Sequence, residues 1–259
     1  MDLETTLHVL AELSAAIWVT LALAAATLPL GFVLAALATW ARASRHRTPR
    51  VIAAAYVLAF RSTPLLVQIF VLYYGLSQFA WLRESPAWIV LKDPFACAVI
   101  AMSLCTGAYT AEVMRGGLAA VPRGAIEAAR SLGLSPLKVL VLVTVPIAVR
   151  RALPAYSNEI VVTLKATSLA STITVMELTG VAKDLMSQTF AVIQVFCMVA
   201  AIYLAINTIL ILALRMLELY LTPLHERPLA RPKSPKYPGN SAQRDAVKGE
   251  KSGTPIAAG

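Results

Sequence analysis

The stretch VPRGAIEAARSLGLSPLK at residues 121–138 has the pattern of a short helix, a turn and a second helix. The residues after its first proline are mostly good helix formers. Gly133 suits the left-handed position that ends many helices. Ser135 and Pro136 then pair a capping side chain with a proline at the first helical position. The sequence therefore predicts a helix at about 122–133, and a second helix that leads back to the next apolar segment.

The first of these helices is expected to have an unusual surface. Ala125, Ala128 and Ala129 make one side small, so that a partner can approach closely. Glu127 and Arg130, three residues apart, put charge on another side. A small, exposed helix of this kind can lie in a groove of another protein. From the residues alone, an ordinary helical hairpin that covers a membrane surface is an equally good interpretation.

The chain on both sides of this stretch is unusually apolar. Hydrophobic residues make up 58% of the sequence and charged residues 14%, whereas soluble domains carry about 25% charged residues. Each apolar segment can supply the ~20 residues that cross a bilayer. These segments lie at about 14–40, 51–82, 95–114, 155–178 and 190–214. We therefore expect an all-α integral membrane protein with five transmembrane helices.

The second apolar segment contains a charge that a straight span would bury. Arg61 would then lie deep in lipid, at a cost of several kcal/mol. Residues 64–82 are long enough to span the membrane by themselves. We therefore expect 51–60 to form a short helix near the membrane surface, with Pro64 marking the bend.

Lysine and arginine counts predict the orientation. The segment 1–13 has none, the loop 41–50 has four and the loop 115–151 has six. This places the N-terminus in the periplasm and the C-terminus in the cytoplasm. The last segment, 221–259, has few large apolar residues and is expected to be a disordered cytoplasmic tail. The net charge of +9 lies in these loops and the tail, which argues against nucleic-acid binding.

The sequence has no motif that indicates catalysis, a bound cofactor or a metal. The three cysteines, Cys97, Cys105 and Cys197, lie inside apolar runs and show no metal-ligand spacing, so they are interpreted as packing residues. A phosphate-binding loop of the GxxxxGK[ST] type is absent from the sequence. The chain is therefore not expected to hydrolyse ATP itself.

The fourth apolar segment is the most polar. Asn158, Lys165 and Thr172 are seven residues apart and are expected to share one helix face, while Glu159, Thr163 and Thr174 form a neighbouring stripe. Charged groups at membrane depth often mark a solute path. The candidate pathway residues are Asn158, Glu159, Lys165, Ser168 and Thr172. In the alternative interpretation, Glu159 and Lys165 are structural charges near the cytoplasmic end of the span.

The central stretch resembles a known motif. Glu127-Ala128-Ala129, three residues, Gly133, nine residues and Val143-Thr144-Val145-Pro146 are similar to the EAA motif of ABC importer permeases. In that family this segment is the coupling helix that docks into the ATPase subunit. The resemblance implies this role for Glu127, Ala128, Ala129, Arg130 and Gly133.

Further stretches resemble the polar amino acid branch of that family. They are residues 61–68, 153–159 and 164–169, and they look closest to subunits of the histidine, lysine-arginine-ornithine and octopine importers. The resemblance covers about residues 11–220. It implies the type I importer permease fold over about 14–220, in the inner membrane of a bacterium.

The same resemblance implies the partners. They are cytoplasmic ATPase subunits that hold ATP and magnesium, a second permease subunit (identical or homologous), a periplasmic solute-binding protein, the lipid bilayer and a polar amino acid, with basic amino acids or opines favoured. The alternative function is a secondary amino acid transporter driven by an ion gradient, which predicts internal repeats. A membrane scaffold that recruits a cytoplasmic partner is a second alternative.

Overall fold

The computed structural model describes residues 2–221, which are helical with no strand. The predicted tail 221–259 lies, after its first residue, outside the described residues. The helices are α1 Leu3–Ala43, α2 Arg47–Ser62, α3 Leu65–Phe70, α4 Ala80–Arg83, α5 Trp88–Leu91, α6 Pro94–Ala119, α7 Arg123–Ser131, α8 Pro136–Val139, α9 Val145–Ala166, α10 Leu178–Thr189 and α11 Val192–Leu221. A π-helical turn, Val71–Gly75, and a 3-10 turn, Leu76–Gln78, extend α3, and a second π-helical turn, Leu140–Thr144, joins α8 to α9.

Within residues 2–221, four helical segments are long and apolar enough to cross a membrane. They are Leu3–Ala43, Pro94–Ala119, the continuous Pro136–Ile173 and Val192–Leu221. A fifth crossing is obtained when the bent pair Arg47–Ser62 and Leu65–Gln78 is counted as one span. The first helix starts at Leu3, so most of the segment predicted to precede the span is part of the same helix.

Helix α6 forms the centre of the bundle, packed against α1, α2 and α9. It comes close to α1 at Gly107, where an added Cβ would lie 2.9 Å from the Cβ of Leu34 and 3.1 Å from the carbonyl oxygen of Gly31. Small residues at such a crossing let two backbones approach closely, and this closeness is a main source of helix association in lipid. The α1–α6 pair therefore forms the frame on which the other helices pack.

The bend between α2 and α3 occurs at the predicted proline. The two helical segments meet at 108°, and Pro64 lacks the N–H that would continue the hydrogen-bond ladder. The Gln68 amide donates to the carbonyls of Phe60 and Thr63, at 2.9 and 3.0 Å, and satisfies the acceptors that the bend sets free. The predicted segment 64–82 is divided in the structure: the helix that begins at Leu65 stops at Gln78, after ~21 Å, and Ala80–Arg83 form a separate short helix.

The fourth span differs from its predicted limits. It runs without interruption from Pro136 to Ile173, rather than from 155 to 178. Its last turns, Thr167–Ile173, are a 3-10 helix, and Thr174 takes a left-handed backbone with φ of 67°. The predicted end at 178 is wrong, because residue 178 already belongs to the separate helix α10.

A buried carboxylate fixes the start of α10. The side chain of Glu177 is fully buried and accepts hydrogen bonds from the backbone N–H groups of Thr179 and Gly180, both at 2.9 Å. It also accepts one from the Tyr203 hydroxyl of α11, at 3.0 Å. Burial raises the pKa of this carboxyl above its ordinary value, while its hydrogen bonds act in the opposite direction. Glu177 therefore joins α10 to α11 as well as capping it.

Candidate functional site

Helix α7 projects from the bundle and is covered on one side only. It packs against α8 and the π-helical turn that follows α8. Ala129 is buried in this contact, whereas Glu127, Ala128 and Arg130 are exposed. The predicted small side is thus divided, with Ala129 turned toward its own chain and Ala128 left open to a partner.

The end of α7 is built around Gly133. Its φ of +75° lies in the left-handed region, where a residue with a Cβ is strained. Its N–H donates to the Arg130 carbonyl at 2.9 Å, and the N–H of Leu134 donates to Ala129 at 3.3 Å. The turn leaves the neighbouring Leu132 side chain 81% exposed. An apolar side chain therefore stands beside the exposed face of α7.

The connection from α7 into the membrane passes through the π-helical turn Leu140–Thr144. Pro146 lies in the first turn of α9 and cannot donate to a carbonyl one turn earlier. A wider helical turn accommodates such a missing donor. The Thr144 hydroxyl donates to the Val139 carbonyl at 3.3 Å, so this carbonyl of the widened turn has a hydrogen-bond partner. The end of the EAA-like motif thus coincides with this irregularity.

A cavity of about 360 Å³ lies between the end of α2, α6 and α9. This volume falls in the range of small-molecule sites. Its walls are lined by Arg61, Tyr109, Glu112, Val113, Gly116, Gly117, Arg151, Ala152, Ala155 and Glu159. Charged side chains of both signs therefore meet in a space of solute size, on segments that cross or enter the membrane.

The charged groups of the cavity differ in their partners. Glu112 forms two salt bridges. Its Oε1 oxygen pairs with Arg42 and its Oε2 oxygen pairs with Arg115. The Arg61 guanidinium lies over the Tyr109 ring, 5.3 Å from its centroid. Within residues 2–221, Arg61, Arg151 and Glu159 form no salt bridge.

The structure brings only part of the predicted pathway set to this cavity. Among the five candidates only Glu159 lines the cavity. Asn158 and Lys165 are exposed on α9 away from it, and the Ser168 hydroxyl donates to the Lys165 carbonyl. Thr172 lies in the 3-10 turn, which rotates it roughly 100° from the position it would have in an α-helix.

The neighbouring stripe predicted from Glu159, Thr163 and Thr174 is only partly present, because Glu159 and Thr163 lie one turn apart on α9 but Thr174 does not continue their face. Thr163 is buried, with its hydroxyl 3.2 Å from that of Thr106 on α6, so it packs two helices together. Thr174 lies beyond the end of the helix. A single helical period does not apply to this segment, because its hydrogen-bond pattern changes at Thr167.

Arg61 and Arg151 line the cavity, and neither is predicted to do so from the sequence. The sequence predicts Arg61 at the membrane interface and Arg151 in a cytoplasmic loop. A lone arginine inside an apolar run is itself a signal, because charge at membrane depth faces protein or water. Arg151 gave no such signal, since it adjoins another arginine in a basic region.

The fold and the cavity together define a multi-spanning helical membrane protein with an open cleft lined by charged side chains. The family model described as "Binding-protein-dependent transport system inner membrane component" matches residues 27–221. The chain belongs to this family, and is therefore a translocation subunit in the inner membrane and not itself an enzyme. The predicted all-α membrane fold and permease class are confirmed.

Several curated relatives are similar over most of their length. The octopine transport system permease protein OccM of Rhizobium radiobacter is 47% identical over 203 residues, which are 78% of this chain and 83% of that protein. The nopaline transport system permease protein NocM of Agrobacterium fabrum is 42% identical over 86% of this chain and 93% of its own. The arginine ABC transporter permease protein ArtM of Haemophilus influenzae is 37% identical over 77% of this chain and 87% of that protein.

Solved structures give the same fold. A chain of an amino acid ABC transporter crystallised with histidines superposes with a TM-score of 0.77 at 28% identity, over 85% of this chain and 99% of that chain. The MetNI methionine ABC transporter superposes with a TM-score of 0.70 at 16% identity, over 86% of this chain and all of that chain. The second likeness concerns the fold alone.

Proposed function

We propose that this chain is one permease subunit of an ATP-driven importer for opines or basic amino acids. The observation that carries the proposal is the similarity, over three quarters or more of the chain, to permeases named for octopine, nopaline and arginine. ATPase subunits holding ATP and magnesium, a second permease subunit and a periplasmic solute-binding protein complete the importer. The N-terminus lies in the periplasm and the C-terminus in the cytoplasm, as the positive charges indicate.

The charged cavity supports a role in holding an amino acid. Arg61 offers a guanidinium suited to a carboxylate, and Glu159 offers a carboxylate suited to an amino group or a basic side chain. Both face the same space. The Tyr109 ring beneath Arg61 restricts where the guanidinium can point, which favours a defined solute orientation. Asn158, Lys165, Ser168 and Thr172 lie on the same span and remain proposed pathway residues.

Helix α7 supports the proposed contact with the ATPase. Its exposed Glu127, Ala128 and Arg130, together with the exposed Leu132, form a short surface that nothing in residues 2–221 covers. The helix packs on the turn that leads directly into α9, and α9 carries Glu159. A movement of α7 can therefore reach the cavity through a single stretch of helix.

The test is uptake by proteoliposomes that contain this chain, its second permease, the ATPase and the binding protein, with ATP enclosed. Labelled arginine, histidine, lysine, glutamine, glutamate and octopine are compared. We expect ATP-dependent uptake of arginine or octopine. Uptake that ignores ATP and follows an ion gradient would establish the secondary transporter instead.

Two substitutions at one position test the coupling role. Gly133→Val places a β-branched side chain at φ of +75°, where it is strained, and is expected to abolish ATP-dependent uptake. Gly133→Asn is the matched control, because asparagine tolerates this backbone region, and is expected to keep most of the activity. Equal uptake by wild type and Gly133→Val would remove α7 from the coupling pathway.

A further pair tests the pathway hypothesis on α9. Lys165→Met keeps a side chain of similar length and removes its charge, and it is expected to reduce uptake at matched expression. Lys183→Met, on α10, is the control, since Lys183 donates to Ser171 and lies away from the exposed face of α9. Unchanged uptake by Lys165→Met excludes Lys165 from the pathway.

A further inference from the structure

The turn between α1 and α2 carries a concentration of positive charge that the chain around it does not balance. Only three residues join the two helices, and the stretch 42–50 contains four arginines and no acidic residue. Arg45, Arg47 and Arg50 are exposed and form no salt bridge within residues 2–221. Three guanidinium groups are therefore presented together at one end of the bundle.

The fourth arginine of the turn has a partner, but this pairing leaves the positive excess in place. Arg42 forms a salt bridge with Glu112 of α6, and the same carboxylate also pairs with Arg115. One negative charge is thus shared between two guanidinium groups. The salt bridge joins the turn to the central helix of the bundle. The surface as a whole attracts an anion from outside the described part of the chain.

Helix α1 shows at what depth in the membrane these arginines lie. Its side chains Val33, Leu37 and Trp40 follow one another at helical spacing and are exposed, Trp40 by 74%. The arginines begin directly after this apolar stripe, and on α2 the residues that follow them, Val51 and Ile52, are exposed as well. Tryptophan is enriched where hydrocarbon meets the lipid headgroups. The three arginines therefore lie at the level of the headgroups.

We propose that the α1–α2 turn is a binding site for the headgroup of an anionic phospholipid. Arg45, Arg47 and Arg50 bind the phosphate, and Trp40 packs against the same lipid below its headgroup. Guanidinium groups donate paired hydrogen bonds to phosphate oxygens, and clusters of basic residues next to a membrane helix attract anionic lipids.

A lipid fits this surface better than a water-soluble partner does. The excess of arginines on one side of the membrane is explained by topology alone, but an exposed tryptophan directly below three unpaired guanidiniums is not. A phospholipid offers a phosphate to the arginines and an acyl chain to the apolar stripe. The ATPase has a separate proposed contact, since α7 packs on α8 and the π-helical turn that follows it.

The experiment measures which lipid lies next to Trp40. The complete transporter, with both permeases and the ATPase, is placed in phosphatidylcholine nanodiscs that contain increasing fractions of brominated phosphatidylglycerol or brominated phosphatidylcholine. Bromine on the acyl chain quenches the fluorescence of a neighbouring tryptophan. The Trp40 signal is isolated by subtracting the fluorescence of the matched Trp40→Phe form, because this chain alone contains four tryptophans.

Three forms are compared, each with its Trp40→Phe counterpart. They are wild type, a turn variant and a loop variant. The loop variant is the matched control, because it removes the same number of exposed arginines from the other basic loop of the chain. The turn variant is Arg45→Gln, Arg47→Gln and Arg50→Gln, and the loop variant is Arg123→Gln, Arg130→Gln and Arg150→Gln.

In wild type, brominated phosphatidylglycerol is expected to quench Trp40 at about ten-fold lower fraction than brominated phosphatidylcholine, since one arginine near an anionic surface corresponds to about five-fold in affinity. The turn variant is expected to reduce this preference to less than about two-fold, and the loop variant is expected to keep it. A turn variant with lysine at the three positions retains the charge and is expected to keep a preference, which excludes misfolding as the cause of the loss.

Three results would overturn the inference. The first is equal quenching of Trp40 by the two lipids in wild type. The second is an equal loss of preference in the turn and loop variants, which indicates an effect of net charge and not a site. The third is a preference that appears only after the ATPase is removed, which makes the ATPase the occupant of the turn. Inorganic phosphate is expected to weaken the preference no more than sodium chloride of equal ionic strength; a specific effect of phosphate would assign the turn to a free anion instead.

Discussion

Helices α6 and α11 are both long apolar spans, yet they occupy opposite environments. In the most apolar 18-residue window of each, 67% of α6 is buried inside the protein but only 17% of α11. The buried positions of α6 are mostly alanine, glycine, cysteine, serine and threonine, whereas α11 exposes large aliphatic and aromatic side chains. In a membrane protein, hydrophobicity does not distinguish the helices inside the bundle from those at its periphery. The inner helices are instead marked by small residues, which allow two backbones to approach closely.

The largest expected effect comes from filling the closest crossing of α6. Gly107→Val places side-chain atoms against the Tyr56 hydroxyl, 2.8 Å from an added Cβ, and against Leu34 on α1. We expect destabilisation near the upper end of the ~1–3 kcal/mol range for overpacking. Thermal unfolding in detergent, followed by fluorescence-detected gel filtration, measures it. The control is Ala205→Val on the exposed face of α11, which is expected to leave the melting temperature unchanged.

A smaller effect is expected where α6 meets α9. An added Cβ at Gly117 would lie 2.7 Å from the Ala148 carbonyl oxygen, whereas at Gly116 it meets nothing within 4 Å. Gly117→Ala is expected to cost about 1–2 kcal/mol and to lower the melting temperature. Gly116→Ala should not lower it. If both adjacent substitutions behaved alike, the close α6–α9 approach would not exist.

Glu177 connects the exposed helix α11 to the rest of the bundle, and its ionisation makes stability depend on pH. Because its pKa is raised in the folded protein, the folded state holds this proton more tightly than the unfolded state. This contribution to the free energy of unfolding is fully present below pH 4.5, the ordinary value, and is lost as pH rises through the raised pKa.

Glu177→Gln is therefore expected to flatten the fall in melting temperature with rising pH. It also replaces a charged acceptor of three hydrogen bonds, at a cost of about 1 kcal/mol. Melting curves across a pH series measure both effects. Asp184→Asn, an exposed carboxylate on α10, provides the reference and should keep the wild-type slope. A slope that Glu177→Gln leaves unaltered would contradict the assignment.

The smallest effect concerns the hydroxyl pair that joins α6 to α9. Thr163→Val removes the contact between Thr163 and Thr106, which are 3.2 Å apart. Interhelical hydrogen bonds in membranes contribute ~0.6 kcal/mol on average, so a small drop in melting temperature is expected. Thr208→Val on α11 removes only a hydrogen bond to its own helix and should have less effect. If Thr208→Val lowered the melting temperature more than Thr163→Val, the contacts of α11 would contribute more to stability than those between α6 and α9, contrary to this account.

Local chemistry made parts of this fold predictable. The start and end of α7, the start of α8 and the bend at Pro64 depend on prolines, a glycine and a capping serine that act on their immediate neighbours. The EAA-like motif then identified the permease family from a few fixed spacings. These features need no knowledge of what packs against them.

The end of the fourth span was not predictable, because it depends on contacts distant in sequence. The Leu178 N–H donates to the Thr20 hydroxyl of α1, and Glu177 is held by Tyr203 of α11. The cavity could not be predicted from the sequence for the same reason. Its charges come from α2, α6 and α9, so no single helical period brings Arg61, Arg151 and Glu159 together.

The amide of Gln68 shows how a sharply bent segment can still satisfy its backbone. Helix α2 covers ~24 Å and the segment from Leu65 to Gln78 ~21 Å, so each is shorter than the ~30 Å hydrocarbon core of a bilayer. A bend between two such segments sets carbonyl groups free, and an unpaired carbonyl in a membrane protein costs several kcal/mol. One side chain, that of Gln68, donates to the carbonyls of both Phe60 and Thr63, and so gives these two acceptors a partner within the chain.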